Sequence, residues 1–447
     1  MNITNIGLSG LLASQAGVAA SARNTANLLT TGYTRQGVLL TPRIGGGVTI
    51  GAQIRFSDNY KTQQLWNSHA ALGQYVAGES YYKQLEEVMG LGEGSLKAGI
   101  DAFFGTLDEV STDPTNSALR QQVISAADSM AKSFNSLRQA MLGQLDTARQ
   151  QSMAAADQVN ALANSIADLN KQIAQAEING EVPSELIDQR DMAIDNLSAL
   201  ADISVLRQPD GSVDVSIANG PPLVAGGQVG KVSVVPNADG TFELALELAG
   251  TRFPLDGQTI GGMLGGLSLY VEETLLPQLD ANKQLAGEFA NRINTQLATG
   301  FGTNGQPGQP LFEYDPVTGA ISVSSTITQA DLGFSNSATE PGNSDNLLAV
   351  IELRKEKITL PGIGEVSLGD AYTSLVGKLG SASQQNQNSL ASASEIRMQA
   401  ERDWLSVSGI SEEEESVKIA EFLNMYNANM KVISVANEMF KSTIDML

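Results

Sequence analysis

Residues Ser411–Leu447 read SEEEESVKIAEFLNMYNANMKVISVANEMFKSTIDML, and this stretch decides the architecture. Ile419, Tyr426, Ile433, Phe440 and Leu447 recur at a strict interval of seven, and Phe422, Asn429, Ala436 and Thr443 hold the matching d-like positions. Leu423, Met430 and Ile444 run alongside. A seven-residue repeat belongs to helices packed on other helices. Ser411 and Glu414 have the spacing of a capping box, and Glu412–Glu415 set negative charge at the positive end of the helix dipole. A helix of this length spans about 55 Å at 1.5 Å per residue. Its seam mixes large apolar groups with Asn429 and Asn437, and a buried Asn fixes register at a cost in stability.

The other end of the chain carries a complementary pattern. Gly7, Ser14 and Ser21 recur every seven residues, and so do Gly10, Gly17 and Asn24. Leu11 and Val18 flank this seam of very small side chains on one side, and Ile6, Ala13 and Ala20 on the other. Small residues let helix backbones approach closely, but each Gly costs about 1 kcal/mol relative to Ala. Such a helix needs a partner to be ordered. Residues 1–60 hold four Arg and one acid, a net +3, whereas residues 401–447 hold four basic and nine acidic residues, a net −5. The terminal helices are therefore expected to attract one another, within or between subunits.

Between them, Gly32 suits the left-handed C-terminal position of the first helix. Short β-like pieces, Val48–Ile50 and Gln53–Phe56, follow among Gly37, Pro42 and Gly45–Gly47, and Ser57-Asp58 caps the next helix. From 58 to 200 the chain reads as mainly helical. Over 141–176 apolar or Ala residues keep a 3/4 spacing for five heptads, broken only at Ser152. Pro183-Ser184 opens a further helix to about Leu200. From 201 the period changes to two: Ser212–Ile217, Lys231–Val235 and Phe242–Leu248 are strand candidates, with turn signals at Pro209–Gly211, Asn219–Pro222 and Asp239-Gly240. A helix returns over 267–299, a Gly/Pro/Asn/Ser-rich stretch with short strands covers 300–366, and helix resumes from 369.

These readings predict a multi-domain α+β fold with a nested architecture. Residues 1–57 and 402–447 would form a coiled-coil-like terminal domain. A long-helix bundle would take 58–200, 266–300 and 367–401, and a β-rich outer domain 201–265 and 301–366. Both chain ends in one unit, with everything else inserted between, is unusual for an enzyme and natural for a polymer subunit.

Composition narrows the chemistry. The 447 residues carry a net charge of −22, no Cys and one His. Disulfides, zinc-thiolate sites, a cysteine nucleophile and paired-His metal sites are excluded, and the acidic balance argues against nucleic acid. No apolar run approaches the 18 residues of a membrane span, and Met1–Leu12 lacks the features of a cleavable secretory signal. Gly300-Phe-Gly302-Thr-Asn-Gly305 matches G-x-G-x-x-G, but a helix precedes it and Gln306–Pro310 cannot start one, so it reads as a turn. His69 has no nucleophile-elbow companion and reads as structural. Trp66 and Trp404 read as packing residues. No cofactor, metal or catalytic residue is expected.

Residues Ala22–Gln36 (ARNTANLLTTGYTRQ) are similar to the N-terminal signature of the flagellar rod, hook and hook-associated axial proteins, in which Asn-x-x-Asn leads to Thr-x-Gly-Tyr/Phe. Ser408–Ser411 with the acids that follow, Phe422–Asn429 and Lys431–Phe440 agree with the family's C-terminal run. Asn219–Gly226 and Gly261–Leu267 resemble middle motifs of its hook-associated members. Leu28-Leu29 replaces the small or polar pair usual before Thr-x-Gly-Tyr. The resemblance implies an extracellular structural component at the junction of hook and filament, needed for filament assembly and motility, with no enzymatic activity. Export through the flagellar type III apparatus would be escorted by a chaperone on the C-terminal helix. Its partners would be copies of itself, the hook protein and a second junction protein, hook-associated protein 3, with neither nucleic acid nor membrane insertion. Hook-associated protein 3 itself, or another hook or rod subunit, is the alternative identity. Assembly and chaperone contacts are expected at Asn24, Asn27, Gly32, Tyr33, Arg35 and Gln36, and at Ile419, Phe422, Tyr426, Asn429, Ile433, Asn437, Phe440, Ile444 and Leu447.

Overall fold

The computed structural model describes residues 3–92, 94–179, 182–218, 220–237 and 240–446. Leu447, Asn219 and Asp239, which figure in the sequence reading, lie outside the described residues.

Helix α1 (Ile3–Ala26) leads through a turn into a hairpin of β1 (Gln36–Pro42) and β2 (Val48–Arg55). The hairpin is antiparallel, with a register shift at Leu39/Leu40. The pieces expected around 48–56 are one continuous strand, and β1 supplies the backbone partner that periodicity over so few residues did not reveal. Helix α2 (Asn59–Met89) starts where Asp58 accepts hydrogen bonds from the backbone N–H of Tyr60 and Lys61. After α3 (Leu96–Val110) comes α4 (Ser117–Ile178), about 93 Å long at 1.5 Å per residue. Its inward positions are buried throughout, and Ser152, the interruption in the apolar repeat, is buried with them. Helix α5 (Ser184–Leu200) runs back along it.

Then come β3 (Ile203–Arg207), β4 (Val213–Ile217), β5 (Pro222–Ala225) and β6 (Gln228–Val229) as one sheet, and β7 (Lys231–Pro236), β8 (Phe242–Leu248) and β9 (Thr251–Leu255) as another. The short helices α6 (Gly257–Ile260) and α7 (Gly262–Leu269) pass through a π-helical turn, Tyr270–Leu275, into α8 (Leu276–Ala298). The helix expected over 267–299 thus begins earlier and contains a widened turn. Hairpin β10 (Phe312–Tyr314)/β11 (Ile321–Val323), helix α9 (Asp345–Glu352) and hairpin β12 (Lys357–Leu360)/β13 (Gly364–Ser367) fill the next stretch. Helices α10 (Ala371–Ser408) and α11 (Glu412–Ile444) close the chain.

The body has two cores strung along α4. One gathers α3, the N-terminal half of α4, α8 and β10–β13, with Phe103, Phe104, Phe134 and Phe289 in ring contact. The other gathers the C-terminal half of α4, α5 and chiefly β3–β9. The β-rich stretches 201–265 and 301–366 therefore sit at different heights on α4 and share no sheet. The Gly-rich motif Gly261–Leu267 is a close-packing device. A Cβ on Gly266 would stand 2.0 Å from the carbonyl oxygen of Gln74 in α2. The G-x-G-x-x-G stretch is a closed turn in which Phe301 exchanges backbone hydrogen bonds with Ser335, and a Cβ on Gly302 would strike the Ala330 carbonyl oxygen.

One device recurs at four contacts between strands and helices. Asn135 and Asn160 of α4 each donate from Nδ2 to the carbonyl of one strand residue and accept its N–H on Oδ1: Ile321 for Asn135, Val232 for Asn160. Asn170 does so with Val213, and Asn294 of α8 with Phe312. Each amide acts as a one-residue strand, satisfying backbone groups that would otherwise be buried unpaired.

Candidate functional site: the junction of the chain ends

Helices α1 and α11 are antiparallel, and the small-residue seam is what permits their approach. A Cβ on Gly17 would stand 2.5 Å from the Phe422 ring, one on Gly10 2.4 Å from Asn429 Oδ1, and one on Gly7 2.8 Å from Ile433 Cγ1. Gly7, Gly10, Ser14, Gly17, Ser21 and Asn24 are buried. On the α11 side Ile419, Phe422, Tyr426, Asn429 and Ile433 are half-buried on the facing surface.

The pair is pinned at its inner end by Asn24, which has no exposed surface. Its Oδ1 accepts from the Gln36 N–H (3.0 Å) and the Tyr33 hydroxyl (3.1 Å). Its Nδ2 donates to the Gln36 carbonyl (2.9 Å) and to Glu415 Oε2 (3.0 Å). One side chain thus joins α1, the turn after it, β1 and α11, and all of its hydrogen-bonding capacity is used. It is the same amide clip that holds the strands in the body.

Glu415 is the fully buried charge in this arrangement. Burial pushes its carboxyl up, but hydrogen bonds from Lys418, Asn24 and Ser21, with the Lys418 charge, outweigh that and hold it below the ordinary carboxylate value. The signal for Glu415 was in the sequence. Stepping back one heptad from Phe422 and Asn429 lands on it, just as Gly10 and Gly17 step forward to Asn24.

From this point residues 32–36 lead to the body. Gly32 has φ +77° and lies against Met192, as its place after the helix requires. Arg35 Nη1 donates to Glu414 Oε2 (2.8 Å), its guanidinium lies 4.5 Å over the Phe56 ring, and its N–H donates to the Ser408 carbonyl. Glu414 therefore turns to Arg35, while the Ser411 hydroxyl accepts the Glu414 N–H at the helix start. The Gln36 and Gln53 amides are hydrogen-bonded to each other. Thr34 donates its N–H to Asp188 Oδ2 of α5, and Arg55 bridges Asp188 and Asp191. Burial raises the Asp188 carboxyl above its usual range despite Arg55 and Thr34. The Arg55–Asp188–Asp191 anchor was not read from the sequence, because Arg55 is 133 and 136 residues from its two partners.

Some expected residues stand elsewhere. Asn27 makes only the local tie at the end of α1, donating to the Arg23 carbonyl and accepting from Thr30. Asn437, Phe440 and Ile444 are exposed. The register that sets Gly7 against Ile433 brings the start of α1 level with about residue 437, so α11 continues past its partner. His69 Nδ1 lies 3.3 Å from Asp195, which also pairs with Arg397 of α10, a polar tie among α2, α5 and α10. Trp66 is buried and Trp404 half-buried.

Fold and junction define a class: a nested, multi-domain α+β chain whose ends meet in one helix pair clipped to a helical body. Residues 82–312 match the family model of the flagellar hook-associated protein FlgK helical domain. The chain is 23% identical to flagellar hook-associated protein 1 of Escherichia coli (strain K12), with all of both chains covered. It is 27% identical to flagellar hook-associated protein 1 of Bacillus subtilis (strain 168), over 97% of this chain and 96% of that one. The solved structure of the flagellar hook junction protein FlgK from Burkholderia pseudomallei shares the fold, with a TM-score of 0.65 at 18% identity over 77% of this chain and all of that one. The chain belongs to the family of the flagellar hook-associated protein FlgK, a family of structural components of the flagellum.

Proposed function

We propose that this chain is a non-enzymatic axial subunit at the junction of hook and filament, required for filament assembly and motility. The observation that carries the proposal is the surplus apolar surface of the terminal pair. Ile3, Leu8 and Leu12 of α1, and Leu423, Met430, Met439, Phe440 and Ile444 of α11, are all more than a third exposed. Two helices alone cannot cover such stripes, whereas a ring of copies can. The terminal unit, 1–57 with 402–447, would line the inner tube. The helical rods of 58–200, 266–300 and 367–401 would surround it, and the β-rich stretches would face outward. The exposed end of α11 is where an export chaperone would bind before type III export to the cell exterior. After assembly it would meet copies of this chain, the hook protein and hook-associated protein 3.

Electron microscopy of cells lacking the gene, with filament protein assayed in the medium, tests the reading. Hooks without filaments and filament subunits spilled into the medium are expected; full-length filaments on normal hooks would refute it. Ile433→Asp or Phe440→Asp should abolish incorporation while the body stays folded by circular dichroism.

A further inference from the structure

Helices α1 and α11 and the β1–β2 hairpin pack on one another, and among the described residues none of them lies broadly on a helix of the body. Two segments without helix or strand, 56–58 and 409–411, carry the chain across. Between these crossings Arg55 is the chief tie. Its Nε donates to Asp188 Oδ1 (2.8 Å) and its Nη2 to Asp191 Oδ2 (2.9 Å). Asp188 and Asp191 stand about one turn apart on α5. The planar guanidinium, seated on both, therefore fixes an angle as well as a position. Beyond this, Thr34 donates its N–H to Asp188, Gly32 lies against Met192, and the Arg35 N–H reaches the Ser408 carbonyl.

A permanent joint is close-packed. This one has a hollow on either side of Arg55. The smaller, of about 120 Å³, lies toward α2 and α10, where Trp66, Asp195 and Arg397 face Thr31 and Arg55. The larger is an open cleft of about 450 Å³ toward the start of α5, with Arg23, Asn27 and Tyr33 on one wall and Glu185 and Gln189 on the other. Arg23 and Glu185 are exposed, and neither has an ion pair among the described residues. Burial raises the Tyr33 hydroxyl, the Arg23 charge opposes this, and Asp188 and Glu185 add to it, so charges from both walls bear on one group in the cleft. The nearly buried Arg55 contact is held at small net gain, because taking ions out of water costs much of what their attraction returns.

We propose that Arg55 is the latch of a hinge with two positions. Seated on Asp188 and Asp191, it holds the end helices at the angle seen here. Released, it lets them swing about 56–58 and 409–411 toward the start of α5, which closes the cleft and pairs Arg23 with Glu185. Opening the latch returns its ions to water, and the second ion pair supplies the alternative resting place that a two-position hinge needs. The hinge lies within one chain and operates whether or not copies assemble.

The absence of native Cys makes the test direct. Asn27→Cys with Gln189→Cys sets one thiol on each wall of the cleft and leaves every charge in place. In the full-length chain this pair should oxidise to an intramolecular disulfide about tenfold faster once Arg55→Ala is added. Arg55→Lys, which keeps the charge but cannot bridge two carboxylates, should fall between. With Arg55→Ala present, Arg23→Glu should return the rate to near the latched value, and adding Glu185→Arg should raise it again. Amide exchange of α1 and α11 is followed in the same variants, and protection unchanged by Arg55→Ala is expected of a folded pair that swings. Loss of that protection would mean unfolding in place of a swing and would overturn the hinge. Equal disulfide rates with and without Arg55→Ala, or rates indifferent to the charges at 23 and 185, would overturn it too.

Discussion

Helices α4 and α11 carry the same kind of repeat and meet opposite fates. Along α4 every turn buries inward side chains, from Val123 through Phe134 and Val159 to Ile173. Along α11 the residue that is fully buried is a carboxylate, Glu415, while the large apolar groups of the seam stay half-covered or exposed. A heptad pattern therefore names a helix and its contact face, but it does not say whether the partner lies in the same chain. In α4 the partners are α3, α5, α8 and the sheets. In α11 one small-residue helix covers one side, and the rest is exposed.

The contrast breaks most visibly in the core. Phe134→Ala should cost the body about 3–5 kcal/mol, by lost burial plus the cavity left behind, read as a shift in denaturant midpoint. Asn24→Ala should cost about 1–3 kcal/mol, by stranding the Gln36 backbone and one side of the buried Glu415 carboxylate. That loss should fall on residues 3–36 and 412–436 in amide exchange and spare α4, whereas an equal loss of protection in α4 would mean that the ends and the body unfold as one unit.

Acid sharpens the comparison. The native pKa of Glu415 is depressed from 4.5, so its stabilising contribution is complete above that value and is lost as pH falls through the native one. The terminal pair should lose exchange protection in that window before the second core does, and Glu415→Gln should flatten the dependence. Asp188 has the opposite sign. Its native pKa is raised from 3.8, so its contribution declines as pH rises from 3.8 through the native value. Asp188→Asn should remove that decline. The smallest effect belongs to Arg35→Ala, whose partner Glu414 is 60% exposed and whose ion pair is worth about 0.2–1 kcal/mol. A double-mutant cycle with Glu414→Ala reads it.

The helical frame was legible because it rests on local rules. The cap at Asp58, the turn at Gly32, the start of α5 at Ser184 and the limits of β8 follow from capping residues, backbone freedom and alternation. The pairing of the two ends was legible from matching heptads and opposite charge. Other features depended on distant partners. Asn135, Asn160 and Asn170 look like ordinary polar residues on a long helix until the strands they hold are present. The β-rich stretches 201–265 and 301–366 both read as short strands among turn residues, so nothing local assigns them to opposite halves of α4. Helix α9, eight residues long, is too short for its period to stand out from the polar stretch around it.

The asparagine clips also bear on the durability of the assembled protein. Asn24, Asn135, Asn160, Asn170 and Asn294 each hold a strand through one amide that presents a donor beside an acceptor. Slow hydrolytic loss of ammonia would replace that donor with a second acceptor and add a negative charge against a backbone carbonyl. Each clip would then repel the strand it had held. If the chain is exported as proposed, it is beyond repair by resynthesis in place, and these five amides would set a chemical lifetime on it, one that burial of the clips would prolong.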